Sequence, residues 1–160
     1  MLVAADVNSK SVVVVTATAE GELSDGIPPN LAPGTFASLA EQQGEFLERV
    51  TQHLNNVGAT CVVLTDVNLS KGTPSNIRAQ SYLEAGLILA AHQVGAEIAM
   101  VHQQSIATHL GLPASSSKHA IRETVASSVG ESSLSPDPIR RARAIGALWS
   151  VAGTRGGAAT

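Results

Sequence analysis

Apolar residues along the chain follow two different periods, and these predict alternating strands and helices. The predicted strands are short runs rich in β-branched residues, and they cover residues 2–6, 11–18, 59–67 and 96–101. The predicted helices carry apolar side chains at intervals of three and four, and they cover residues 36–57, 74–94, 105–110, 117–129 and 138–152. Residues 21–34 are rich in Gly, Pro, Asp and Asn without a period, so we expect a loop there with at most a short edge strand.

The order of these elements predicts the fold class. Only Asn8, Ser9 and Lys10 separate the first two predicted strands, which indicates an antiparallel hairpin. Strands and helices alternate afterwards, and this alternation favours parallel neighbours. We therefore expect one α/β domain over residues 1–153, with a mixed sheet and helices on both faces. Residues 154–160 are expected to form a disordered tail.

The predicted helix at 74–94 differs from the others. Thr73 followed by Pro74 is a typical helix start, and Gly95 is a typical stop. Its centre, residues 85–91, is apolar nearly all round. Such a helix is buried, either within the core or against a second subunit.

Composition and charge limit the possible functions. No apolar run approaches the ~20 residues of a membrane span, and the first residues lack the basic segment of a signal peptide. Cys61 is the only cysteine, which excludes an internal disulfide and fits a reducing, cytoplasmic compartment. The net charge is −3, so the binding of a nucleic acid would have to rest on a local basic patch.

Several segments resemble the RuvC family of Holliday-junction resolvases, which belongs to the RNase H-like superfamily. Residues 4–9 are similar to that family's opening strand, which carries an Asp before a short turn. Residues 71–91 resemble the segment that enters its long central helix. Residues 104–111 with 116–125 look like its pair of helices after the last strand, and residues 141–147 resemble its final helix.

The resemblance implies an RNase H-like (RuvC-like) fold and a protein that acts on branched DNA. Proteins of this family are homodimers that cleave phosphodiesters with Mg²⁺ or Mn²⁺ held by about four carboxylates. Hard oxygen ligands suit such ions, and a pair of them roughly 4 Å apart can activate a water and stabilise the leaving oxygen. By the same resemblance we expect a homodimer formed through the 74–94 helix and no association with a membrane.

The carboxylates that the resemblance selects as catalytic residues and metal ligands are Asp6, Asp66 and Asp137. Asp6 ends the first strand, where the family has its first ligand. The family's second acid aligns without a gap on Thr65, one place before Asp66. A shift of one residue in a strand turns the side chain to the other face, so Asp66 needs a bulge or a shifted gap to reach the site.

The last helix departs further from the family's pattern. Pro138 and Arg141 occupy the positions of the third and fourth acids, with Asp137 immediately before them. An aspartate before a proline is also a common N-cap, which offers a structural reason for Asp137. Asn68 stands where the family carries an aromatic wedge. These departures favour an alternative, a catalytically inactive RNase H-like protein that binds DNA or has a structural role.

Basic residues in loops and at helix starts are the candidate contacts to phosphates, although each could equally be a solvated surface charge. The candidates are Lys10, Lys71, Lys118, Arg122 and Arg141. Arg140, Arg141 and Arg143 form the densest basic cluster, which could meet a DNA backbone or balance nearby acids.

A second alternative is a different enzyme. The segment 82–86 resembles the Glu-containing helix of nucleoside deoxyribosyltransferases and TIR-like nucleotide-binding domains, in which Glu84 would be a nucleophile. Those folds open with a strand that leads into a helix. The order of the first two elements therefore discriminates between the two assignments.

Overall fold

The structure, a computed structural model, describes residues 1–24, 30–66 and 72–153, and its centre is a mixed sheet. The described strands are β1 (Leu2–Val7), β2 (Val12–Ala17), β3 (Asn30–Leu31), β4 (Cys61–Asp66) and β5 (Glu97–His102). Their order in the sheet is β3-β2-β1-β4-β5. β1 is antiparallel to β2 and parallel to β4, and β4 is parallel to β5. The predicted opening hairpin and mixed sheet are confirmed.

The helices begin where the sequence offers capping residues. They are α1 (Leu39–Asn56), α2 (Pro74–Val94), α3 (Gln103–His109), α4 (Lys118–Val129) and α5 (Pro138–Ala152). Ser38 and Glu41 form a reciprocal capping box at the start of α1, which explains why this helix begins later than predicted. The Thr73 and Ser117 side chains accept backbone N–H groups at the starts of α2 and α4.

The alternation of side chains along the strands divides the core into two layers. Val3, Ala5 and Val7 of β1 face α1 and α2, whereas Leu2 and Ala4 face the layer of α3, α4 and α5. The same alternation in β4 directs Val62 and Leu64 towards α1 and α2, and Val63 towards α5. Helices therefore cover both faces of the sheet, as predicted.

Two predictions lie wholly or partly outside the described residues. They concern the tail at 154–160 and the contact assigned to Lys71; Asn68 is not described either. Among the helices that the structure describes, none is long and apolar enough to cross a membrane.

Candidate functional site

Asp6 lies at the carboxyl end of β1, in the middle of the sheet. Because side chains alternate along a strand, Asp6 points to the same face as Leu2 and Ala4, towards α5. Its side chain is only 2% exposed. A carboxylate buried to this degree is stable only when charged or hydrogen-bonding partners surround it.

Three side chains supply those partners. Arg140 Nε lies 3.0 Å from Oδ1 of Asp6, and Arg143 Nη2 lies 3.2 Å from Oδ2. Thr65 on the neighbouring strand donates its hydroxyl to Oδ2 at 2.9 Å. Both guanidinium side chains are 11% exposed, so the ion pairs are largely shielded from solvent. Each oxygen of the Asp6 carboxylate is thus engaged by at least one donor of this chain.

Arg140 also fastens the opening hairpin to α5. Its Nη2 donates to the backbone oxygens of Asp6 and Ser11, and its Nη1 donates to the Ser11 hydroxyl at 3.0 Å. The planar guanidinium group has five N–H donors. Here they reach Asp6 of β1 and also Ser11, which directly precedes β2. Arg140 therefore acts as a clamp between β1, β2 and the first turn of α5.

Asp137 approaches the same arginine. It occupies the N-cap position of α5, but its side chain makes no capping hydrogen bond. Its Oδ2 lies 3.3 Å from Nη1 of Arg140, and its side chain is 35% exposed. The interpretation of Asp137 as a capping side chain is therefore not supported, since its carboxylate faces Arg140 rather than the N–H groups of the helix. Arg140 thus lies between the two carboxylates, Asp6 and Asp137.

Asp66 points away from this cluster. β1 and β4 run parallel with Ala5 level with Leu64, which places Thr65 beside Asp6 and turns Asp66 to the opposite face. There, Oδ2 of Asp66 lies 2.5 Å from Nδ1 of His102, at the end of β5. These two side chains are 42% and 67% exposed. The described pairing of β1 with β4 contains no bulge that would turn Asp66 towards Asp6. Of the three predicted ligands, only Asp6 and Asp137 lie in one cluster, where both contact Arg140.

The donor set does not fit a pair of divalent cations. A Mg²⁺ ion requires several oxygen ligands at about 2.1 Å in octahedral geometry. Here Thr65 rather than an acid lies beside Asp6, and two guanidinium groups approach the Asp6 carboxylate. Within residues 1–24, 30–66 and 72–153, no group of three or more His, Cys, Asp or Glu side chains could hold a metal ion.

The predicted phosphate contacts are dispersed over the surface. Lys10 and Lys118 are exposed, one in the turn after β1 and the other at the first position of α4. Arg122 is half-buried and forms an ion pair with Glu131. Arg141 is only 3% exposed, so in this position it is not available to a DNA backbone. Lys71 lies outside the described residues.

Glu84, the residue of the second alternative, is half-buried on α2 and accepts a hydrogen bond from Gln80 at 3.1 Å. The chain opens with an antiparallel pair of strands, not with a strand that leads into a helix. The feature that would distinguish a deoxyribosyltransferase-like or TIR-like domain is therefore missing.

Comparison with known proteins identifies the fold. No protein-family model and no curated protein matches the chain. Among solved structures, Thermus thermophilus RuvC matches with a TM-score of 0.70 and 16% identity, over 94% of this chain and 95% of that one. A structure of Thermus thermophilus RuvC in complex with a Holliday-junction substrate matches with a TM-score of 0.72 and 14% identity, over 96% and 95%. The chain therefore has an RNase H-like fold with the layout of RuvC.

Proposed function

We propose that this chain binds branched DNA through its RuvC-like fold and does not cleave it by a two-metal mechanism. The observation that carries the proposal is the Asp6 cluster, in which Arg140, Arg143 and Thr65 engage both carboxylate oxygens. A guanidinium group can neutralise a carboxylate as a cation does. It cannot coordinate a water molecule and lower the pKa of that water, which is what the metal contributes to phosphodiester hydrolysis.

The choice of branched DNA rests on the fold. The structural neighbour in complex with a Holliday-junction substrate aligns over nearly the whole chain, with no unmatched domain on either side. The net charge of −3 means that counterion release from a general basic surface does not drive binding. The affinity must come from a local surface that is complementary to a junction.

We further propose that the protein acts as a homodimer through the C-terminal half of α2. Ile88 and Leu89 are 42% and 53% exposed there. Ile98 and Met100 of β5 pair with Val62 and Leu64, so they lie on the same face of the sheet as α2, and they are 40% and 54% exposed. Exposed apolar side chains concentrated in this way are typical of an interface between subunits. A second copy of the same surface would cover all four.

A second candidate function is Mg²⁺- or Mn²⁺-dependent cleavage of Holliday junctions. One observation favours it, namely that Asp6 ends the first strand, where RuvC proteins have their first ligand by resemblance. Cleavage would require the metal to displace Arg140 and Arg143 from Asp6 and to recruit Asp137. It would also need Asp66 to turn away from His102. The first proposal requires none of these changes.

A single experiment with a synthetic four-way junction distinguishes the two candidate functions. Gel retardation without metal measures binding against a duplex of equal length, and a denaturing gel after incubation with Mg²⁺ or Mn²⁺ measures cleavage. We expect a retarded junction complex, no cleavage, and a melting temperature that millimolar Mg²⁺ leaves unchanged, because a ligand that binds only the folded state would raise it. Metal-dependent nicking that Asp6→Asn abolishes would establish the nuclease instead. A junction bound no better than the duplex would overturn the proposal of branched-DNA binding.

A further inference from the structure

A groove of about 440 Å³ lies beside the opening hairpin, between the turn after β1 and the first halves of α1 and α2. Its volume lies within the range of roughly 300–1,000 Å³ that is typical of small-ligand sites. It lies on the α1 and α2 side of the sheet and is separate from the Asp6 cluster, whose partners come from β4 and α5. Its polar and aromatic lining includes Lys10, Arg78, Tyr82, Gln42 and Gln43.

The charge of the groove is opposite to that of the whole chain. Lys10 and Arg78 both line it, whereas no aspartate or glutamate of the described residues does. Both residues are exposed, and within the described part of the chain neither side chain forms an ion pair or a hydrogen bond. Unpaired cations that converge on a concave surface attract an anion, even on a protein whose net charge is −3.

Tyr82 adds a flat aromatic surface beside the charges. It lies four residues after Arg78 on α2, so both side chains project from the same face of the helix. Tyr82 is 37% exposed, and its hydroxyl has no hydrogen-bond partner among the described residues. An exposed aromatic ring next to cations is the combination on which proteins stack the bases of single strands. The amides of Gln42 and Gln43 can donate to and accept from a base edge.

From these observations we infer that the groove binds an unpaired nucleotide of a DNA strand. Lys10 and Arg78 contact its phosphates, and Tyr82 stacks on its base. This inference rests on the proposed function, because it identifies the surface that would hold a single-stranded segment beside a branch point. It extends that function by a preference for unpaired over fully paired DNA.

The test uses the full chain and a labelled oligothymidylate of about 12 nucleotides, which is within the span of single-strand binding sites. Fluorescence anisotropy at low salt measures the dissociation constant. We expect Tyr82→Leu to weaken binding roughly 5- to 100-fold, since stacking on an aromatic ring contributes on this scale. Tyr82→Phe keeps the ring and should remain within about 2-fold of the wild type.

The charge contribution has its own readout and a matched control. Lys10→Ala and Arg78→Ala should each weaken binding and lower the slope of log K against log salt by about 0.7, as expected for one phosphate contact on a single strand. Arg49→Gln removes an exposed cation that is paired with Glu45 on α1, outside the residues that line the groove, and should leave both quantities unchanged. Circular dichroism of each variant verifies that it folds.

The outcomes separate this inference from the proposed function. Oligothymidylate binding that is equal in the wild type, Arg78→Ala and Tyr82→Leu would overturn the inference. So would a loss in Arg49→Gln as large as the loss in Arg78→Ala. A wild type that binds the four-way junction but not the oligothymidylate also overturns it, and leaves the proposed function intact. Binding of the oligothymidylate without binding of the junction supports the groove and removes the branched-DNA function.

Discussion

The carboxylate of Asp6 is enclosed by charged and hydroxyl side chains of its own chain. Its oxygens are 3.0 and 3.2 Å from guanidinium nitrogens of Arg140 and Arg143, and its side chain is nearly inaccessible to solvent. Removal of one member of a buried charge pair leaves the others without compensation. Asp6 is therefore expected to stabilise this fold through its ion pairs rather than to bind a metal cation.

The first prediction tests whether the buried Asp6 carboxylate stabilises the fold. Asp6→Asn leaves two largely buried arginines without their carboxylate, and we expect the free energy of unfolding to fall by about 3–5 kcal/mol in urea denaturation. Asp66→Asn is the matched control. That aspartate is 42% exposed, so the loss should be no more than about 1 kcal/mol. A pair of variants with equal stability, or an Asp6→Asn protein more stable than the wild type, would contradict the structural role.

A second prediction concerns His53 on α1. Its Nε2 atom is buried and has no hydrogen-bond partner among the described residues, and burial lowers its pKa below the ordinary value of 6.5. The unfolded chain therefore takes up a proton at a higher pH than the folded chain. As the pH falls below 6.5, this residue lowers the free energy of unfolding, and the loss continues until the pH passes its lowered pKa in the folded state.

The matching measurement is urea denaturation at about pH 7.5 and about pH 5.5 for the wild type and for His53→Gln, which does not titrate. The wild type should lose more stability between the two conditions than the variant does. Equal losses in both proteins would show that His53 has the same pKa in the folded and unfolded states.

The residues of the site were only partly predictable from sequence. The one-place offset between Thr65 and Asp66 is visible in the chain, and strand alternation gives its consequence. The pairing of Asp66 with His102 had a signal too, since both end neighbouring parallel strands and are level in the register. The pairing of Asp6 with Arg140 joins positions 134 residues apart, and it depends on how α5 lies across the hairpin. Periodicity carries no information about that placement.

At the scale of elements, the packing of α1 against α2 depends on Gly86. A Cβ atom built at this position would lie 2.9 Å from two ring carbons of Phe46, whose side chain is fully buried. A glycine in the middle of a helix usually costs about 1 kcal/mol relative to alanine. Its presence here is explained by the close approach of the Phe46 ring.

The third prediction compares two glycines in these two helices. Gly86→Ala should lower the free energy of unfolding by roughly 1–3 kcal/mol, because the ring must shift within a packed core. Gly44→Ala, on α1, meets nothing within 4 Å and should raise the free energy of unfolding by roughly 0.5–1 kcal/mol through helix propensity. Urea denaturation of both variants measures the difference. A stabilising Gly86→Ala would mean that the helices are further apart than described.

The elements themselves were well predicted, because their signals are local. β-branched runs indicate β1, β2 and β4, and cap residues fix the starts of α2 and α4. The short 3-10 helix Glu131–Leu134 was not predicted, since four residues are too few to establish a period. The described part of β3, Asn30–Leu31, pairs with β2, and its position depends on that partner rather than on its own sequence.

For the whole molecule, the sheet order determines where a site can lie but not what it does. The carboxyl ends of neighbouring parallel strands lie at the same edge of a sheet. Asp6 of β1 and Thr65 of β4 are therefore side by side. The fold therefore determines which residues meet at this edge of the sheet, and the arginines of α5 determine the charge around Asp6. This is why the resemblance predicted the fold, whereas the chemistry of the site required the structure.

The oligomeric state of the whole molecule can also be measured. If a second copy covers the exposed apolar residues of α2 and β5, the wild type should have the mass of a dimer in sedimentation velocity. Leu89→Glu should reduce it to a monomer, because a buried, unpaired carboxylate at the interface costs several kcal/mol. Ser128→Glu is the control, since Ser128 is exposed on α4, in the layer on the other side of the sheet. A wild type that stays monomeric at high concentration, or a dimer that both variants disrupt equally, would mean that this surface has a different occupant.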